Sequence, residues 1–157
     1  MSSDKVVDAK GTYGVSKLLG ERLVLDARRY RGDRRTRFVI VRPANFWKSK
    51  GSVMDLWERQ LQEGKPITVT HPDMTRYFTP LDEVVKVVLY AAEEGCDGWI
   101  LVPRAELHRI MDLAKSLTDR IEVVGMRTGE VLSHGLMTAD EEGRAFKRGD
   151  TWVIPPE

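Results

Sequence analysis

Two runs of four residues, Phe38-Val39-Ile40-Val41 and Trp99-Ile100-Leu101-Val102, contain no polar side chain. Side chains on a strand point alternately to its two faces, so a run of this kind must be buried on both. A sheet covered by helices above and below offers that burial, and the intervening segments have helical periodicity. Residues 12–31 read as a helix with Leu18, Leu19, Leu23 and Val24 as its apolar stripe and Glu21, Arg22 and Arg28 outward, stopped at Arg31-Gly32-Asp33. A second helix follows Gly51-Ser52, buries Val53, Leu56, Trp57 and Leu61, and ends at Gly64-Lys65-Pro66. Ile67–Thr70 and Ile121–Val124 read as strands, Thr79 to Glu94 and Leu107–Leu117 as helices. The remainder is mixed, with acidic Asp140-Glu141-Glu142 and apolar Trp152-Val153-Ile154 before a proline-rich end. Strands alternating with helices predict an α/β architecture.

A chain of 157 residues suits one domain, with no internal repeat or linker. Lys plus Arg, 25 residues, balance 24 Asp plus Glu, so no overall field draws the chain to nucleic acid or membrane. The basic run Arg28, Arg29, Arg31, Arg34, Arg35 and Arg37 reads as a solvated helix end rather than a nucleic-acid surface. Cys96 is the only cysteine, so no internal disulfide forms, and a reducing, cytoplasmic setting is the natural expectation. No apolar segment approaches the ~20 residues that span a bilayer. His71, His108 and His134 lack close zinc-ligand spacing, and no metal is expected.

The chemistry concentrates near the start. Tyr13 and Lys17 stand four residues apart on one helix face. A phenol beside an ammonium can act as a base, because the positive charge favours the phenolate. Just upstream, Ser3-Asp4-Lys5 places a hydroxyl, a carboxylate and an amine in succession. From these residues alone, plainer readings stay open: Tyr13 as a helix-start aromatic, Lys17 as a solvated charge, Ser3 or Asp4 as a turn cap.

Four further segments follow in order: Arg42-Pro43-Ala44-Asn45-Phe46, Gly51-Ser52-Val53, His71 to Phe78 with Thr75-Arg76-Tyr77-Phe78, and Gly125-Met126-Arg127-Thr128-Gly129-Glu130. Together with Ser3-Asp4-Lys5 and Tyr13-Gly14-Val15-Ser16-Lys17, they make the chain resemble the extended short-chain dehydrogenase/reductases. Within these it is similar to the polysaccharide-biosynthesis group that contains inverting UDP-N-acetylglucosamine 4,6-dehydratases. The chain departs from that group at Asp8-Ala9, where Asn-Pro is usual, and at Phe46-Trp47-Lys48, where smaller residues stand.

The resemblance implies the C-terminal part of an NAD(P)-binding Rossmann-like fold with a substrate-binding subdomain. Residues 1–50 would hold the catalytic helix and the next strand, and residues 51–157 mainly the substrate portion. It implies a UDP-sugar substrate and a nicotinamide cofactor, NADP or NAD, in surface polysaccharide or glycan biosynthesis. The C4 hydroxyl of the sugar is oxidised, water leaves across C5 and C6, and hydride returns to C6. Tyr13 would be the base at C4, with Lys17 beside it and on the nicotinamide ribose, and Ser3 on the same sugar oxygen. Lys5 would take the C5 proton and Asp4 protonate the departing hydroxyl. Arg76 and Arg127 would hold the diphosphate, Glu130 the ribose hydroxyls, and Asn45 the substrate. A simple epimerase needs no adjacent acid–base pair, so Asp4-Lys5 favours dehydration over epimerisation or reduction.

In the family a Rossmann half with a glycine-rich phosphate turn precedes the Asp-Lys pair. The resemblance therefore implies that this polypeptide alone binds cofactor poorly and turns over little, and that Phe38–Val41 meets an open sheet edge. It leaves room for a homo-oligomer, a complementing cofactor-binding chain, or a non-catalytic truncation that retains nucleotide-sugar binding.

Overall fold

The computed structural model describes residues 1–156. A short 3-10 turn, Asp4–Val6, leads into helix α1, Thr12–Tyr30. Strand β1 (Ile40–Val41), helix α2 (Val53–Gln62), strands β2 (Ile67–Val69) and β3 (Thr75–Phe78) and helix α3 (Leu81–Glu93) follow. Then come β4 (Ile100–Val102), β5 (Glu106–Arg109), α4 (Ile110–Lys115), β6 (Ile121–Val123), α5 (Ala139–Arg144), β7 (Phe146–Arg148) and β8 (Thr151–Ile154).

The main sheet runs β1-β4-β8-β7, with β1 parallel to β4 and the other pairs antiparallel. Ile40 sits opposite Ile100 and Ile100 opposite Ile154, so one face carries Ile40, Ile100, Val102 and Ile154, packed with Leu25 of α1. The other carries Val41, Leu101 and Val153 with Val87 of α3. Burial on both faces is what the unbroken apolar runs demand. A second lobe pairs β2 with β6 in parallel and β3 with β5 antiparallel. Its core joins Trp57, Ile67, Val69, Met74, Phe78, Ile110 and Ala114, and the Trp57 indole donates to the Thr68 carbonyl at 2.8 Å. The architecture is α/β with a mixed sheet.

Several expectations are corrected. Glu106–Arg109 forms strand β5, so the predicted helix 107–117 shrinks to Ile110–Lys115. Pairing with β3, Arg76 opposite His108, satisfies backbone groups that a local helical pattern would have used. Leu61 is 41% exposed rather than buried. On α1, Leu19 and Leu23 are exposed, while Glu21, expected outward, is only 4% exposed. The open edge of β1 is covered in part, because Ser2 N–H donates to the Val41 carbonyl at 2.8 Å and Asp4 N–H to that of Pro43 at 3.0 Å. Alternate pairing of this kind lays residues 2–4 alongside β1 as a parallel strand would lie.

Glu21 turns inward because Arg42, just past β1, is buried. The Arg42 guanidinium donates through Nε and Nη2 to both oxygens of Glu21 at 2.9 and 2.7 Å. Through Nη1 and Nη2 it donates to both oxygens of Glu141 at 2.8 Å. Glu141 also completes a capping box with Thr138 at the start of α5. Burial alone would raise the Glu141 pKa, but hydrogen bonds from Arg42 and Thr138 and the Arg42 charge hold it below the ordinary 4.5. A depressed carboxylate contributes stability that is complete above the unfolded value and disappears as pH falls through the folded one. Unfolding free energy in urea should therefore hold level well above pH 4.5 and decline below it. In Glu141→Gln the acid-side decline should be shallower.

Two arginines of the basic run, Arg28 and Arg31, are tied to the turn before β4. Arg28 and Arg31 reach Asp97 at 2.9 and 3.1 Å, and Asp97 also accepts from the Phe38 N–H at 2.8 Å. No helix among the described residues is long and apolar enough to cross a membrane.

Candidate active site

The site begins where residues 2–4 leave the edge of β1. The Ser3 hydroxyl donates to Asp4 Oδ1 at 3.0 Å and accepts from the Lys5 N–H at 3.4 Å, so it also caps the turn it begins. Asp4 is fully buried. Lys5 Nζ donates to Asp4 Oδ1 at 3.2 Å and to Asn45 Oδ1 at 2.8 Å. Asn45 lies past β1, where its backbone bridges to Phe78 and its Nδ2 donates to the Tyr77 carbonyl at 2.8 Å.

Helix α1 approaches this turn through Gly14. A Cβ there would stand 2.3 Å from the Lys5 carbonyl oxygen, closer than any real contact. Tyr13 is thereby held beside the turn, 56% exposed as a residue, and Lys17 Nζ sits 5.6 Å from its ring centroid. The i,i+4 pair shares one face, as its spacing requires.

A cleft of about 680 Å³ opens between the sheet and the second lobe. Ser3, Lys5, Tyr13, Asn45, Arg76, Arg127 and Glu130 all line it, while Asp4 lies behind Lys5 and Lys17 is outside the lining. Arg76 donates to the carbonyls of Thr75, Leu132 and Val131 at 2.7, 2.9 and 2.7 Å, with Glu130 at 3.8 Å. Burial lowers the Arg76 pKa against the opposing charges of Glu130 and Asp4. Its guanidinium thus pins residues 131–132 to β3. Glu130 accepts from the Arg127 N–H at 3.1 Å and meets Thr70 Oγ1 at 3.3 Å. The Arg127 side chain is exposed.

Trp47 turns away from the cleft, stacking on Phe78 with ring centroids 4.3 Å apart and meeting His108 edge-on at 4.8 Å. Of the bulk that departs from the family pattern, Trp47 is absorbed by the second lobe's packing, whereas Phe46 lines the cleft.

Three residues carry more than their sequence context announces. Gly14 sets the distance between helix and turn, and an isolated glycine inside a helical pattern is the available signal. Lys50 lines the cleft. The half-buried His134 has its pKa lowered by burial, with the Asp4 charge and a hydrogen bond to the Val7 backbone opposing Arg76 and Lys5.

The sequence profile of the family described as polysaccharide biosynthesis protein matches residues 1–156. The chain belongs to this family. A UDP-glucose 4-epimerase of Rickettsia canadensis is 35% identical over 161 residues, 99% of this chain and 47% of its own length. The structure called Pen, from Bacillus thuringiensis, superimposes with a TM-score of 0.91 at 31% identity, covering 98% of this chain and 51% of that one. A dTDP-glucose 4,6-dehydratase of Streptomyces venezuelae with NAD bound shares the fold, with a TM-score of 0.76, at 17% identity over 90% of this chain and 51% of that one. The chain spans about half the length of the curated relatives it matches. As a member of the polysaccharide biosynthesis family it has an α/β fold that matches about half of the extended short-chain dehydrogenase/reductases it resembles, a group whose members include nucleotide-sugar epimerases and dehydratases.

Proposed function

We propose that this chain carries the proton-transfer and substrate-binding residues of a UDP-sugar 4,6-dehydratase, acting on UDP-N-acetylglucosamine in surface polysaccharide biosynthesis. The observation that carries the reading is Lys5, which faces the cleft with buried Asp4 at its back, 3.2 Å away. An ammonium–carboxylate pair and an amine–carboxylic acid pair differ by one proton moved across that distance. In the second form Lys5 takes the C5 proton, the C5–C6 double bond forms, and the C6–O bond breaks. Asp4, buried behind Lys5, supplies the proton with which the hydroxyl leaves as water by way of the Ser3 hydroxyl, which lines the cleft 3.0 Å from Asp4 Oδ1. The step ends in the ammonium–carboxylate form, with atoms and charge balanced. Tyr13 accepts the C4 hydroxyl proton.

A nicotinamide dinucleotide, when bound, supplies the hydride acceptor. Tyr13 and Lys17 fit its nicotinamide-ribose end, an exposed phenol and an ammonium on one helix face beside the cleft. Among the described residues no glycine-rich strand–turn–helix offers a cradle for its phosphates.

At the far end of the cleft Arg127 holds the diphosphate, with Glu130 towards the ribose. Arg76 supports them by fixing the strap at residues 131–132. The two arginines therefore separate in their expected effects. Arg127→Ala should weaken UDP-N-acetylglucosamine binding about tenfold or more, the scale of a lost charge-assisted hydrogen bond, with little change in stability. Arg76→Ala should lower the melting temperature as well, because the 131 and 132 carbonyls lose their donor. Calorimetric titration beside thermal unfolding checks both.

A second reading, 4-epimerisation, is favoured by the Rickettsia relatives named UDP-glucose 4-epimerase. Incubating the full protein with UDP-N-acetylglucosamine and a nicotinamide dinucleotide decides between them by NMR of the product. A 4-keto-6-deoxy sugar carries the dehydratase reading; inversion at C4 with the C6 hydroxyl retained would overturn it.

A further inference from the structure

We infer that Asn45 is a positioning residue for the Lys5 amine. The inference rests on the reading of Lys5 as the base at C5 and adds the group that aims it. Both ends of the Asn45 amide are already committed. Oδ1 accepts from Lys5 Nζ at 2.8 Å. Nδ2 donates to the Tyr77 carbonyl at 2.8 Å and stands 3.4 Å from Asp4 Oδ2. That second end fixes which way the amide faces, because a flipped amide would set its oxygen against the Tyr77 carbonyl and its NH₂ against the ammonium.

The backbone is fixed as firmly as the side chain. Asn45 N–H donates to the Tyr77 carbonyl at 3.1 Å, and the Asn45 carbonyl accepts from Thr79 N–H at 2.8 Å. β3 therefore holds Asn45 at both levels, and Asn45 holds the amine. Lys5 has three N–H donors. With Asp4 Oδ1 and Asn45 Oδ1 taking two, the third is left towards the cleft, which Lys5 lines.

The residue type suits the task. An amide oxygen is a neutral acceptor, so it orients the amine without adding a second carboxylate beside buried Asp4. The charged or titratable groups around the pair are Asp4 and Lys5 themselves, Arg76 from β3 and His134 from the loop before α5.

The test reads Lys5 directly and does not depend on turnover. Competitive acetylation of the folded protein, resolved by peptide mass spectrometry, reports the reactivity of each lysine, with Lys65 as an internal reference. Asn45→Ala should raise Lys5 reactivity about tenfold, the scale of one hydrogen bond to a charged group. Asn45→Asp, which keeps an acceptor for the amine but gives up the Nδ2 donor to the Tyr77 carbonyl and adds a charge beside Asp4, should still restore part of the protection, and it serves as the second variant if the alanine protein folds poorly. Unchanged Lys5 reactivity in Asn45→Ala overturns the inference, whatever happens to affinity. If the protein binds no UDP-sugar at all, the functional reading fails, while the acetylation pattern still decides the role of Asn45.

Discussion

Arg42→Met is expected to lower the unfolding free energy by about 3–5 kcal/mol, as breaking a buried ion pair does. The side chains of Arg42 and Glu21 are 2% and 4% exposed, and that of Glu141 is 11% exposed. Removing the guanidinium leaves two carboxylates facing each other without the group that separates them. Each must then be desolvated alone or take up a proton on folding, and either outcome opposes the native state. Arg42→Lys should recover only part of the loss. An ammonium keeps the charge, but it cannot present the planar fork that reaches both oxygens of both partners. The exposed pair Arg29–Asp26, with side chains 82% and 57% exposed, is the contrast. Arg29→Ala should change stability by less than about 1 kcal/mol. Urea unfolding at neutral pH measures all three variants. A loss below about 1 kcal/mol in Arg42→Met would show that the carboxylates find another partner or water.

The same network marks what a sequence can and cannot disclose. β1 and β4 are legible because a run such as Ile40-Val41 or Ile100-Leu101-Val102 has no polar face to turn outward. Glu21 is not legible. Nothing within α1 indicates that an arginine beyond the next strand will be buried beneath it, so helical periodicity assigns Glu21 to solvent and Leu19 and Leu23 to the core. β5 fails for a related reason, since Leu107 and Ile110 have plausible helical spacing and the deciding contact is a strand at residues 75–78. The grouping of Ser3, Lys5 and Tyr13 around one cleft is readable as well. Proton-handling side chains cannot be exchanged without losing their chemistry, so Ser3, Lys5 and Tyr13 stand out even where their backbone is irregular. What the sequence withholds is division of labour. Arg76 and Arg127 are equivalent as letters, yet one has its donors on backbone carbonyls and the other extends into solvent. Gly14 is withheld too, since its task is visible only as a distance.

That distance supports the second large effect, in which two glycines of one helix respond to alanine with opposite sign. Gly20 lies in α1 with nothing within 4 Å of an added Cβ. Gly20→Ala should stabilise the protein by about 0.5–1 kcal/mol, the ordinary helical preference of alanine over glycine. Gly14→Ala receives the same preference but places its Cβ 2.3 Å from the Lys5 carbonyl oxygen and 3.3 Å from Ala9 Cβ. The first neighbour is backbone and cannot rotate away, so the helix and the turn must separate. Overpacking of this kind costs about 1–3 kcal/mol, and the misplacement exceeds a single methylene, so the steric term should win. The net expectation is destabilisation by about 1 kcal/mol or more. The site should register the same strain. Moving the Lys5 carbonyl moves the amine off Asn45, so the Asn45 side-chain amide resonances should shift in Gly14→Ala and stay in place in Gly20→Ala. Thermal unfolding together with side-chain amide NMR separates the two variants. A Gly14→Ala protein as stable as Gly20→Ala, with undisturbed Asn45 resonances, would mean that helix and turn are not in contact at Gly14. The position of Tyr13 against the Ser3-Asp4-Lys5 turn depends on that contact.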